Sequence, residues 1–171
     1  MIKAEPPSNA SAELASFLTS LANQVEAINP ALLRQADDAL LDTLGCVVFG
    51  VDQPWTRAAH RHALDTGGDG RCTVIGTDRC TTPAMAAFAN GAAAHAFELD
   101  DVHEEAINHP GAVVIPAALA IAEHVGASGH DLLEAIVVGY EAMGRAGIAV
   151  GPLSHMLRGF HPTSMSGVFG A

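Results

Sequence analysis

The chain has 171 residues, enough for one ordinary domain, and 49% of them are apolar, enough for a hydrophobic core. Its formal net charge of -11 argues against nucleic acid or an anionic membrane as partner, while leaving room for a locally positive pocket that takes a small acid. Three cysteines, Cys46, Cys72 and Cys80, are odd in number and irregular in spacing, so neither a disulfide framework nor a zinc cluster is expected.

Residues 1 to 10 read as a loose tail, without the basic and apolar regions of a leader. Leu14, Phe17, Leu18, Leu21 and Val25 then recur at helical spacing, predicting a helix from Ser11 to Ile28. Asn29 and Pro30 supply a cap and a first-turn proline for a helix over about 31–49. Leu33, Ala36, Leu40, Leu44, Val47 and Val48 form its inward face, with Asp37, Asp38 and Asp42 outside and Cys46 in the core. Pro54 opens a short amphipathic helix whose His60 and His62 read as surface residues. After a glycine-rich turn, Cys72 to Gly76 is the best strand candidate.

Thr82 and Pro83 open an alanine-rich helix with Met85, Phe88, Ala92 and His95 on one face. His95 fits a core position and a site lining equally well. A polar stretch, Glu98 to Pro110, separates it from an apolar helix over 111–125 that is too short to span a bilayer. Ser128 and Asp131 form a capping box for a helix reaching about Val150, with Leu132, Leu133, Ile136, Val137, Tyr140 and Met143 inward. Gly151 to Gly159 reads as loop, and a further helix opens after His161. The expected fold is therefore all-α, a bundle-like array of six or so helices.

Two polar segments carry the functional signal. The first holds Glu98, Asp100, Asp101, His103 and His109, and the second runs Arg158-Gly-Phe-His-Pro-Thr-Ser164. Each ends in a His-Pro pair at the mouth of an apolar helix, where unpaired N–H groups favour anions. Two such corners brought together would offer two imidazoles as acid and base beside a carboxylate-rich ligand. A plain solvated acidic loop is the simpler reading of the first segment. A metal site from Asp100, Asp101, His103 and His109 is a rival, although the spacing matches no compact ligand set. No phosphate loop or nucleophile elbow is present in the sequence.

The stretches DTLGC, FANGAAAHAFELDDVHEEAINHPGAVVIPAALAIAE, DLLEAIVVGYE and GFHPTSMSGVFGA resemble the signature blocks of the MmgE/PrpD family. Members of that family are longer, with a large helical domain, a smaller α/β lid and the active site between them, and commonly form homodimers; a cytoplasmic protein is expected here because no targeting segment is evident. The resemblance implies that residues 11–171 are the first part of the helical domain. It also implies an enzyme without metal or organic cofactor that moves a proton beside a carboxylate of a small di- or tricarboxylic acid. The family's activities are dehydration of 2-methylcitrate, decarboxylation of cis-aconitate to itaconate and epimerisation of iminodisuccinate; dehydration is the expectation here. By the same resemblance His109 and His161 are catalytic, with Asp100 and Asp101 beside them. Glu98, His103, Arg158, Thr163 and Ser164 are candidates for binding substrate. The run here is ELDD where the family often has DFDD, and Val102 stands where threonine is common. The family's active-site lysines lie beyond the matched residues, so this stretch alone is expected to be weakly active at best. A helical binding module without catalysis is the alternative from another class.

Overall fold

A computed structural model describes residues 9–23 and 28–171. The tail expected at 1–10 falls almost wholly outside the described residues, as does Val25 on the first predicted stripe. Eight helices and one small hairpin make up the described residues. The helices are α1 (Ala10–Asn23), α2 (Pro30–Gly50), α3 (Pro54–Thr66), α4 (Pro83–Ala94), α5 (Gly111–Val125), α6 (Gly129–Ala149), α7 (Pro152–Met156) and α8 (Pro162–Gly167). The all-α expectation holds. None of these helices is long and apolar enough to cross a membrane.

Several boundaries follow directly from local chemistry. Asn29 accepts a hydrogen bond from the Ala31 N–H at 2.9 Å and so caps α2. Ser128 and Asp131 form the reciprocal capping box at α6. Gly126, at φ +71°, ends α5 in the left-handed conformation that glycine adopts without penalty.

α4 is the central element and packs against α5, α3 and α2. Its buried face is Ala86, Ala89, Asn90, Ala93 and Ala94, while Phe88 is exposed. This corrects the expected face of Met85, Phe88 and Ala92. Small side chains let the helix backbones approach, and the bulky ones turn outward. Pro116 has no N–H for the Ala112 carbonyl one turn earlier in α5. That carbonyl lies against Gly91, where a Cβ would come within 2.9 Å of it.

Other expectations also change. Val48 is 65% exposed, because Thr43, Val47 and Gly50 already form the inward stripe of α2. His60 is buried, since α3 lies with Thr56, His60 and Ala63 against α4. Cys46 is half-buried rather than fully enclosed. The strand expected over 72–76 is only Cys72–Thr73, paired antiparallel with Cys80–Thr81, and Gly76 lies in the turn. Asn90 closes that hairpin onto α4, accepting from the Ile75 N–H and donating to the Thr73 carbonyl. The loop expected over 151–159 contains the short helix α7, opened by Pro152.

The apolar core runs through the layers between helices. Ala36, Ile115, Leu132 and Ile136 join α2, α5 and α6, and Val47, Ala93, Ala94 and Ala112 join α2, α4 and α5. This packing fixes the end of α4 and the beginning of α5, while α8 rests on α6, α5 and α7.

Candidate active site

The segment 95–110 leaves α4 at His95 and enters α5 at Gly111. It is a folded loop: a bridge pairs His103 with Asn108, and the His103 N–H donates to the Asn108 carbonyl at 2.8 Å. Glu98 and Ile107 hold left-handed backbones at φ +52° and +49°, an uncommon conformation for side chains of this size. Such strain persists only where the surroundings impose it.

The loop buries Asp100 against two imidazoles. Its side chain is fully buried, and His95 Nδ1 lies 3.0 Å from Oδ1 and 3.1 Å from Oδ2. His109 Nδ1 lies 3.4 Å from Oδ2, without hydrogen-bond geometry and without another partner. The ring of His161, at the mouth of α8, stands 5.7 Å from that of His95 and 6.5 Å from that of His109, centre to centre. His95 and His109 are 4.7 Å apart, edge to face. Two imidazoles thus flank one buried carboxylate, and the third ring, His161, stands beside them.

The hydrogen bond with Asp100 raises the His95 pKa above its ordinary value; burial opposes this, and the charges of Asp100 and Glu98 add to it. The protonated form of His95 is therefore favoured relative to an ordinary imidazole. The expected pair, His109 and His161, do come together with Asp100 between helices. His95 completes the group. Its stripe position on α4 left its role undecided in sequence; the signal was its place at the last turn, five residues before Asp100.

Asp101 is directed elsewhere. Its Oδ1 accepts from the Gly111 N–H at 2.8 Å and its Oδ2 from the Tyr140 hydroxyl at 2.8 Å. Burial pushes its carboxyl up, and the two hydrogen bonds hold it down. Burial and the neighbouring Asp101 charge raise the Tyr140 phenol far above its usual range. The first N–H of α5, expected to face a bound anion, is thus already met by a carboxylate of the chain. Pro110 occupies the cap position rather than the first turn.

The remaining candidates divide. Glu98 is exposed, and a carboxylate oxygen lies within 4.8 Å of ring nitrogens of both His95 and His161. Thr163 is buried, and its Oγ1 accepts from the His109 N–H at 3.0 Å. Ser164 and Arg158 are exposed, and Arg158 makes no ion pair among the described residues. His103 belongs to a different place. It lines a cleft of about 470 Å³ between α2 and α6, with Leu32, Ala36, Ile136, Tyr140 and Arg145. The compact metal-type groupings are His95 with Asp100 and His109, and His95 with Glu98 and His161. Among the described residues, the rival metal set with His103 is not one of them.

The all-helical domain thus gathers three histidines and a buried aspartate where α4 ends and α5 and α8 begin. The chain belongs to the MmgE/PrpD family, whose N-terminal domain matches residues 12–171. The cis-aconitate decarboxylase-like protein oryM of Aspergillus oryzae is 37% identical over 91% of this chain and 33% of its own length. The cis-aconitate decarboxylase of Aspergillus terreus is 32% identical over 94% of this chain and 34% of its own. That of Homo sapiens is 32% identical over 91% and 34%. The chain therefore spans about a third of the length of these relatives.

Proposed function

We propose that the full-length protein is a lyase that decarboxylates a small unsaturated tricarboxylic acid of the cis-aconitate kind, without a cofactor. The gathering of His95, His109 and His161, the first two against buried Asp100, carries this reading, because it supplies several proton donors at one place. The relatives' names favour decarboxylation over the dehydration expected from sequence.

In such a substrate the bond to the departing carboxylate breaks and CO2 leaves. The bond's electron pair forms a new double bond, and the old double bond's pair takes a proton at the carbon beside a remaining carboxylate. One proton is consumed, and solvent restores it to the donor. An imidazolium suits that step near neutral pH. His109 and His161 are the candidate donors. Asp100 orients His95 by hydrogen bonding and lies beside His109, and His95, its protonated form favoured by Asp100, offers positive charge to a carboxylate. Charge developing next to a carboxylate needs this compensation.

The test is to incubate the full-length protein with cis-aconitate, and separately with 2-methylcitrate, and follow CO2 release and products by NMR. Release of CO2 with a dicarboxylate product is expected from cis-aconitate. Water loss from 2-methylcitrate without CO2 release would return the reading to a dehydratase. Replacing His161 with alanine should lower kcat about 100-fold or more with the fold intact, the usual contribution of a positioned general acid. Wild-type turnover in that variant would remove His161 from the reaction.

A metal-dependent reaction is the second reading, favoured by the close spacing of His95, Asp100 and His109 ligand atoms. Chelation of divalent ions is expected to leave turnover unchanged. A loss of activity that returns with added zinc would establish the metal reading instead.

A further inference from the structure

The two histidine corners approach each other through the loop of residues 95–110 on one side and α8 on the other. α8 has six residues, too few to form a stable helix by itself. Something must therefore fix His161 relative to His109, and the structure contains two direct ties. The His109 N–H donates to Thr163 Oγ1 at 3.0 Å. One residue earlier, Asn108 Nδ2 donates to Ser166 Oγ at 2.8 Å and approaches the Met143 carbonyl at 3.4 Å. Ser166 Oγ in turn donates to the Pro162 carbonyl at 2.8 Å, so the second tie ends on the residue after His161. Asn108, Thr163 and Ser166 are all buried.

We infer that Thr163, with Asn108 and Ser166, is a positioning residue that sets the separation of His109 and His161. The inference rests on the proposed roles of those two histidines. The first tie runs from the backbone of His109 itself to the residue two after His161, and the second from the residue before His109, through Ser166, to the carbonyl of the residue after His161. Neither of these hydroxyls bonds to an imidazole. Thr163 therefore works by placing the histidines, a different role from the substrate contact expected for it in sequence. The left-handed Ile107 and the His103–Asn108 bridge hold Asn108 in place, so the strained loop turns its amide toward α8. Without the ties, α8 is attached to the core mainly by its own contacts with α6 and α5.

The experiment compares Thr163→Val, Thr163→Ser and Ser166→Ala in the full-length protein. His109→Ala and His161→Ala are run in parallel, on whichever of cis-aconitate or 2-methylcitrate is turned over. Valine keeps the shape of threonine and removes the acceptor. The expected result is a kcat lower by about 10- to 100-fold per folded molecule, the size associated with a misplacement of about 1 Å. KM should stay within about twofold, and serine should restore the rate because it returns the acceptor. The solvent deuterium isotope effect on kcat should rise as proton transfer becomes slower; partial unfolding would leave it unchanged. If the valine variant does not fold, Ser166→Ala carries the same expectation for the second tie. Unchanged kcat and isotope effect in the folded variants, with His161→Ala inactive, would overturn the positioning role and leave the histidine chemistry standing. Wild-type turnover in both histidine variants, or no turnover of either acid by the wild-type protein, would overturn the proposed function and this inference with it.

Discussion

Asp100 and Asp101 are neighbours in the chain with opposite surroundings. Asp100 turns to two imidazoles, whereas Asp101 is held by a tyrosine hydroxyl and a backbone N–H. Tyr140→Phe removes one of those donors and leaves an oxygen of a half-buried carboxylate without that partner. It should cost about 1–3 kcal/mol of stability, measured by urea unfolding. His60 lies in the core with its pKa lowered, by burial first and despite a backbone hydrogen bond at Ala89. Its folded-state pKa is below the ordinary 6.5, so between those values the unfolded chain binds more protons. Stability should therefore fall as pH drops below about 6.5, toward the lowered value. In His60→Gln the dependence of the unfolding midpoint on pH between 7 and 5 should flatten. An equally steep slope in that variant would assign the effect to other groups. His95 has the opposite sign: its raised pKa favours the folded state at low pH and loses that contribution as pH rises through the raised value.

At the scale of elements, the entry to α5 decides how closely the polar loop sits on the core. A Cβ at Gly111 would come within 2.5 Å of Thr43 Oγ1 and 2.6 Å of Asp101 Oδ1. Gly111→Ala should thus destabilise by about 1–3 kcal/mol despite alanine's better helix propensity, because the helix mouth must move away from α2. Gly129→Ala, at the first turn of α6, meets nothing within 4 Å and should be neutral or slightly stabilising. Comparing the two thermal midpoints separates packing from propensity. The same distinction explains the reading of α4. Its length and opening were visible in Thr82-Pro83 and the alanine run. The buried side was not, because alanine carries little periodic signal and Phe88 suggested the wrong face.

Across the whole molecule, 16% charged residues is low against the roughly one quarter usual for soluble domains. Phe49, Trp55 and Phe97 form an exposed aromatic cluster with ring centres 4.8 and 6.2 Å apart. Leu157, Phe160, Val168 and Phe169 are exposed as well. Where exposed apolar groups form a contiguous patch, they favour association with other protein. The 171-residue chain should therefore associate as its concentration rises, observed as increasing sedimentation coefficient, and Trp55→Glu should reduce that tendency. A chain that stays monomeric at high concentration would show that water is tolerated on these faces.

Helix positions, caps and the pairing of histidine with proline are properties of neighbouring residues, so the chain reports them without reference to its fold. Periodic leucines, Asn29-Pro30, Ser128 with Asp131, and both His-Pro corners belong to that class, as do the blocks that match the family. The site's membership depends on residues distant in sequence. His95 joins His109 and His161 because α4 ends against the starts of α5 and α8. Asp101 turns away because Tyr140, 39 residues later, presents its hydroxyl there. His103 faces α6 because the loop folds back on itself at Asn108. These choices come from packing, which decides which of several suitable side chains meet and which are occupied elsewhere.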